Sequence, residues 1–247
     1  MEPASAQEHE PRFRWQSLDV AVFVVFFVGT VFILPSIAYL VLQFLQPGLE
    51  ITDLSGVQLI LIQAVMNLAW VGFIFFLISK VHHQPILRTL RMLPTNNLAV
   101  IRMLGTGALL AIVALVATSF FPAPTDTPLQ QLLSTTPSIV LFVTFGIFVA
   151  PVLEEIVFRG FVFTALVDLC GSKAALLITT ASFAALHFFQ IGGSWPAVIV
   201  ILFISYVFTA VRQRRDSTLA SAILHTAYNA TIFAASVVAS ILGMTAS

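Results

Sequence analysis

Two adjacent glutamates, Glu154 and Glu155, an arginine, Arg159, and two histidines, His187 and His225, all fall inside long apolar blocks of the sequence. An ionisable side chain at mid-bilayer costs roughly 2.5–3.5 kcal/mol on insertion scales, so such residues face the interior of a helix bundle and carry function. Read as one helix, residues 154–159 put Glu155 and Arg159 at i and i+4 with the acid on the N-terminal side, the favourable order for an ion pair. Glu154 lies about 100° further round that helix and has no partner at ideal spacing. Arg159 can therefore neutralise and fix Glu155, which leaves Glu154 for chemistry. The structural alternative is a charge cluster of all three.

The turn Gly171-Ser172 joins this block to the next in a helical hairpin, so positions equidistant from the turn face each other. Glu154 is about seventeen residues before the turn and His187 about fifteen after it, which places them within a few ångström in height at ~1.5 Å per residue. Phe183 is level with Arg159 by the same count, and its ring can wall the site beside the imidazole of His187. His225 and Asn229 repeat the i, i+4 spacing on the last apolar block, where both side chains can donate hydrogen bonds in one direction. Singly, each His or Asn reads as an interhelical hydrogen-bonding residue, the role expected of Gln63 and Asn67. Together they place acids, imidazoles and an amide at depths reached from one face of the membrane.

The elements that must hold these residues are transmembrane helices. The chain is 59% hydrophobic and 9% charged, with mean hydropathy +1.01, against about 45–50% and 25% in soluble domains. Its apolar blocks are apolar on every face and long enough for a ~30 Å hydrocarbon core, which excludes a barrel of alternating strands. The pattern predicts an all-α bundle of about seven spans: Leu18 to Leu45, Val57 to Ser79, Leu104 to Phe121, Ser138 to Cys170, Ala174 to Gln190, Trp195 to Val211 and Thr218 to Leu242. An eighth, re-entrant piece is the alternative. Residues 1–17 form a polar cytoplasmic segment ahead of a single transmembrane domain, 18–247, whose core is 138–235.

Lys and Arg outside the spans fall in alternate loops, which predicts a cytoplasmic N-terminus, an exterior C-terminus and a site opening to the cytoplasmic side. The stretch Lys80 to Arg102 reads as a basic loop with a short surface helix in lipid contact, its His82 and His83 solvated or facing headgroups. The lone Cys170 reads as packing. Net charge is zero, and with no basic stripe the sequence gives no case for nucleic acid as a partner.

The blocks Glu154-Glu155-x-x-x-Arg159, Phe183-x-x-x-His187 and His225-x-x-x-Asn229 occur in that order. They resemble the three motifs of the CAAX-protease and bacteriocin-processing family of intramembrane endopeptidases, related to the Ras-converting prenyl-protein proteases. The resemblance implies that Glu154 with His187 holds and activates a water, while His225 and Asn229 stabilise the oxyanion. Glu155 belongs to the same constellation, with Arg159 and Phe183 as support. Amide hydrolysis needs such a base and such donors, and a water-poor site strengthens both. The implied substrate is a membrane-anchored peptide or protein, with a prenylated one among the cases the resemblance admits.

The expected mechanism is metal-free, because Arg159 opposes a divalent cation and no His-Glu-x-x-His motif is present. The zinc alternative would use Glu154, His187 and His225 with water in the fourth position. Two other function classes compete. A proton-coupled transporter predicts two similar halves, whereas the intramembrane ionisable residues crowd into the second half. A non-catalytic membrane scaffold or immunity-type protein would keep the fold and tolerate loss of a catalytic position, and none is lost.

Overall fold

The computed structural model describes residues 13–121, 135–188 and 190–242. Residues 1–12, which include His9 and Arg12 of the polar N-terminal segment, lie outside them, as do residues 122–134. Every regular element among the described residues is helical: α1 (Ser17–Leu45), α2 (Gly56–Val81), the short α3 (Ile86–Thr89), α4 (Asn97–Ser119), α5 (Thr136–Cys170), α6 (Ser172–His187), α7 (Trp195–Arg215) and α8 (Thr218–Ile241). Six of these, all but α3 and α6, are long and apolar enough to cross a membrane.

The expected fifth span is the difference. Its helix, α6, has 16 residues, about 24 Å at 1.5 Å per residue and short of a ~30 Å hydrocarbon core. It ends at His187, and Gly192 and Gly193 in the connection to α7 take positive φ of 62° and 70°. Helix α4 also starts earlier than expected, at Asn97, because the Asn96 side chain caps it by accepting from Ala99 N at 2.8 Å. Arg102 is therefore helical, not part of the preceding loop.

Helix α5 carries the paired acids and changes gauge twice. Pro151 has no N–H to give the carbonyl one turn back, and just before it the helix widens to a π turn over Phe145–Val149. A second π segment, Ile156–Val162, surrounds Arg159. Such turns release carbonyls from the helical ladder, and neighbouring helices use both: Asn229 Nδ2 donates to Gly146 O at 2.7 Å, and Arg212 Nε donates to Arg159 O at 3.2 Å.

The polar stretch after α2 does more than lie on the surface. Leu90 is buried, close against Gly160. Thr218 Oγ1 donates to Leu90 O at 2.6 Å, and Ser217 Oγ donates to Leu93 O at 3.0 Å. Arg91 pairs with Asp216 at 3.1 Å. This linker thus plugs the end of the bundle where α8 begins. His82 is likewise not solvated: its Nε2 donates to Asp19 Oδ1 at 2.7 Å, with the ring against Phe13 and Trp15. Trp15 N in turn donates to Asp168 Oδ2 at 3.0 Å, tying the chain ahead of α1 to the end of α5. Gln63 and Asn67 bond to each other along α2, Nε2 to Oδ1 at 3.0 Å, instead of bridging helices.

Helices α4 and α8 approach closely at Gly107, as small residues allow in membrane bundles. A Cβ there would run into the Leu224 carbonyl, 2.8 Å from Ala227 Cβ and 3.0 Å from Tyr228 N. Gly107→Ala is expected to cost about 1–3 kcal/mol through this overpacking, seen as a lower thermal midpoint in detergent. Gly105→Ala, with nothing within 4 Å of the added carbon, is the matched control and should unfold at or above the wild-type temperature. Equal midpoints for the two variants would show that the α4–α8 approach is not close in solution.

Candidate active site

Arg159 is the hub of the site, and neither it nor Glu155 has any exposed surface. Its Nη1 donates to Glu155 Oε1 at 2.9 Å, the pairing that the i, i+4 spacing calls for. The remaining donors meet α7: Nη2 donates to Ser205 Oγ at 2.8 Å and to Ser205 O at 3.1 Å, and Nε donates to Thr209 Oγ1 at 3.2 Å. The guanidinium carbon lies 4.5 Å from the ring centroid of Phe183 on α6 and 5.5 Å from that of Phe208 on α7. The hairpin count across Gly171-Ser172 therefore set Phe183 at the right height.

Glu155 also reaches α8. Its Oε1 accepts from His225 Nδ1 at 3.0 Å, so one carboxylate oxygen joins α5 to both Arg159 and His225. The imidazole of His225 is packed against Phe208, 4.6 Å between centroids, and against Phe183, 5.9 Å. Its Nε2 points the other way, to within 3.9 Å of Glu154 Oε2. Glu154 differs from its neighbour as its angular offset demands: its side chain is 24% exposed, against 0% for Glu155. Among the described residues it makes no hydrogen bond.

His187 closes α6 at the same end of the site. Its Nδ1 donates to Phe183 O one turn back at 2.8 Å, and its ring lies 4.5 Å from the Phe183 ring. No hydrogen bond or ion pair joins His187 to Glu154 among the described residues; Phe183, which touches both imidazoles, is what connects His187 to the rest. Asn229 is held by Gly146 O through one amide hydrogen, leaving the other.

For a metal, both histidines leave Nε2 as the available nitrogen, and Glu154 could supply an oxygen. Among the described residues, however, no three His, Cys, Asp or Glu side chains converge as a ligand set.

Arg212 falls just past the expected sixth span, where the sequence pattern places it in a loop, yet it belongs to the site. It is only 3% exposed. Besides Arg159 O, it donates to Thr218 Oγ1 at 3.0 Å, Thr164 Oγ1 at 3.2 Å and Asp216 Oδ1 at 3.1 Å. Ser205, Thr209 and Arg212 at i, i+4 and i+7 were the available signal, a polar stripe on an apolar helix.

Residues 136–231 match the family model of the type II CAAX prenyl endopeptidase Rce1-like proteins. The segment contains all three motifs, so the resemblance read from them holds over that stretch, and it supports a CAAX-type intramembrane protease role in general terms. Among curated proteins the chain is similar to UPF0177 protein YxdF of Lactococcus lactis subsp. lactis (strain IL1403), with 29% identity over 126 residues, 51% of this chain and 67% of the relative. No solved structure matches the chain.

The division between the two acids is open to test by stability. Arg159→Ala strands a fully buried carboxylate, a defect worth about 3–5 kcal/mol, and should lower yield and thermal midpoint sharply. Glu154→Gln alters a part-exposed group outside any hydrogen bond and should stay within about 1 kcal/mol of wild type. Equal losses at both positions would show that the two carboxylates do not divide support from chemistry.

Proposed function

We propose that the protein is an intramembrane endopeptidase that hydrolyses peptide bonds of membrane-associated peptides or proteins with a water activated by Glu154. One observation carries this reading: of two adjacent buried-segment carboxylates, one is neutralised by Arg159 and the other faces an imidazole nitrogen across a 3.9 Å gap while remaining 24% exposed. A general base needs an accessible lone pair and a defined neighbour, and Glu154 has both. Glu154 takes the proton as the water oxygen adds to the scissile carbonyl. The free amide hydrogen of Asn229 is a donor for the developing oxyanion, and His187 lines the same opening. No metal takes part in the proposed reaction. The walls of Phe183 and Phe208 keep bulk water from the polar cluster, which raises the worth of each of these interactions.

The proposed orientation is a cytoplasmic N-terminus with the site reached from the cytoplasmic side. Lys80, Arg88, Arg91, Lys173, Arg214 and Arg215 all lie at one end of their helices or in the connections there. The shortness of α6 leaves this parity unchanged, since α6 still lies between the end of α5 and the start of α7. The substrate class is a membrane-anchored peptide at that leaflet, with a prenylated protein among the candidates suggested by the family match.

Cleavage of membrane-tethered peptides by the purified protein tests this. Glu154→Gln is expected to abolish cleavage and a strong chelator to change it little, with Asn229→Ala slowing kcat by about 10²–10³-fold at nearly constant KM. Stoichiometric zinc whose removal stops cleavage would overturn the metal-free reaction, and an active Glu154→Gln would overturn its base. Reporter fusions at Pro47, Arg91 and Arg214 should report outside, inside and inside; like signals at Pro47 and Arg91 would overturn the orientation.

A further inference from the structure

We propose that the cleft between α5, α6 and α7 at the basic end of the bundle, with Arg212 at its floor, binds the headgroup phosphate of an anionic phospholipid. The cleft shares none of the residues assigned to hydrolysis, and its occupancy does not depend on the peptidase reading.

The cleft measures about 160 Å³. A drug-sized ligand takes ~300 Å³ or more, so the space suits one small polar group. Arg212 lines it while only 3% exposed. A guanidinium is the natural complement of a phosphate, being always charged and carrying its N–H donors in a rigid fork. This one is held in place: it donates to Thr164 Oγ1 at 3.2 Å and to Thr218 Oγ1 at 3.0 Å, and its carbon lies 5.6 Å from the Phe163 ring centroid. Thr164, Ser172 and Gln213 add hydrogen-bonding groups to the walls. Asp216 is the one acid in the lining, and both its oxygens are engaged, Oδ1 by Arg212 and Oδ2 by Arg91, each at 3.1 Å. Its charge is thus met within the cluster, while Lys173, Arg214 and Arg215, all exposed, adjoin lining residues in the chain and make the rim basic.

Two features favour a lipid over a free phosphate. Phe163 and Val167 give the cleft an apolar wall beside its polar one, the pairing that the junction of a headgroup with its glycerol and acyl chains presents. Leu169, Leu177 and Ile178, on the same two hairpin helices, are exposed at 43%, 64% and 44%. They set the edge of the hydrocarbon next to the cleft, so the cleft lies at headgroup height. Basic residues at that height attract anionic lipids. Because Arg212 also donates to Arg159 O at 3.2 Å, an anion seated on it braces α7 against α5.

A ligand that binds only the folded state raises its thermal midpoint. The full-length protein in maltoside micelles, in about 0.3 M salt to screen long-range attraction, is titrated with dioleoylphosphatidylglycerol, dioleoylphosphatidylcholine or inorganic phosphate. Phosphatidylglycerol is expected to raise the midpoint by about 5 °C or more at saturation, with phosphatidylcholine and inorganic phosphate doing little. No shift with phosphatidylglycerol, or an equal one with phosphatidylcholine, would overturn the site, and an equal shift with inorganic phosphate would overturn the lipid assignment. Arg212→Ala would strip several structural bonds, so the variants are Gln213→Glu and Ser172→Asp, exposed positions on facing walls. Each should raise the lipid concentration for half the shift by about tenfold or more. Arg88→Gln, the same change of charge at an exposed position of the same end but outside the cleft, should leave it within about twofold. Equal weakening by all three would show diffuse attraction to the basic end and overturn the cleft as the binding site.

Discussion

A guanidinium and a carboxylate with no exposed surface, Arg159 and Glu155, are the constraint around which the second half of the chain is arranged. Moving two charges out of water is costly, and their mutual attraction repays it only when the remaining donors and acceptors are also satisfied. The structure meets most of that requirement from three other helices, while Glu155 Oε2 has no hydrogen-bond partner among the described residues. Helix α7 supplies Ser205 and Thr209, α6 supplies the face of Phe183, and α8 supplies His225. Each of these contacts fixes a helix at one height and one rotation. Of the side chains assigned to chemistry, His225 is itself one of these contacts, and Glu154, His187 and Asn229 sit one position or one turn from a residue fixed in this way.

The backbone of α5 extends the same logic. Its two π turns free carbonyls that a regular helix would keep for itself. Gly146 O receives Asn229, and Arg159 O receives Arg212. The bundle is therefore tied at two levels above and below the ion pair by bonds from α8 and α7. At the charged end, Leu90 and Leu93 carbonyls receive Thr218 and Ser217, so the linker between α2 and α4 closes the bundle beneath the site.

What could be read from the sequence was whatever depends on one helix or one hairpin. The i, i+4 spacing of Glu155 and Arg159 and the level of Phe183 follow from helix rise alone, and the structure has both. What could not be read depends on how far a helix reaches or what lies across from it. Helix α6 stops at His187, ahead of Gly192 and Gly193, which take positive φ. Arg212 looks like a loop residue until α5 offers it a carbonyl. His82 looks solvated until Asp19, more than sixty residues earlier, is found beside it. The partner of Asn229 is a carbonyl that only the π turn before Pro151 exposes, and no side-chain pattern announces it.

The central claim is that the buried pair is cooperative with everything that surrounds it, and a double-mutant cycle measures that most directly. The quantity is the unfolding free energy in detergent of wild type, Glu155→Leu, Arg159→Leu and the double variant. Each single change leaves a charge buried and unpaired, whereas the double change leaves none. The account predicts that the double variant is less destabilised than the sum of the singles by about 3 kcal/mol or more, and no less stable than either single. Losses that simply add would contradict it, because Glu155 and Arg159 would then hold the site independently of one another.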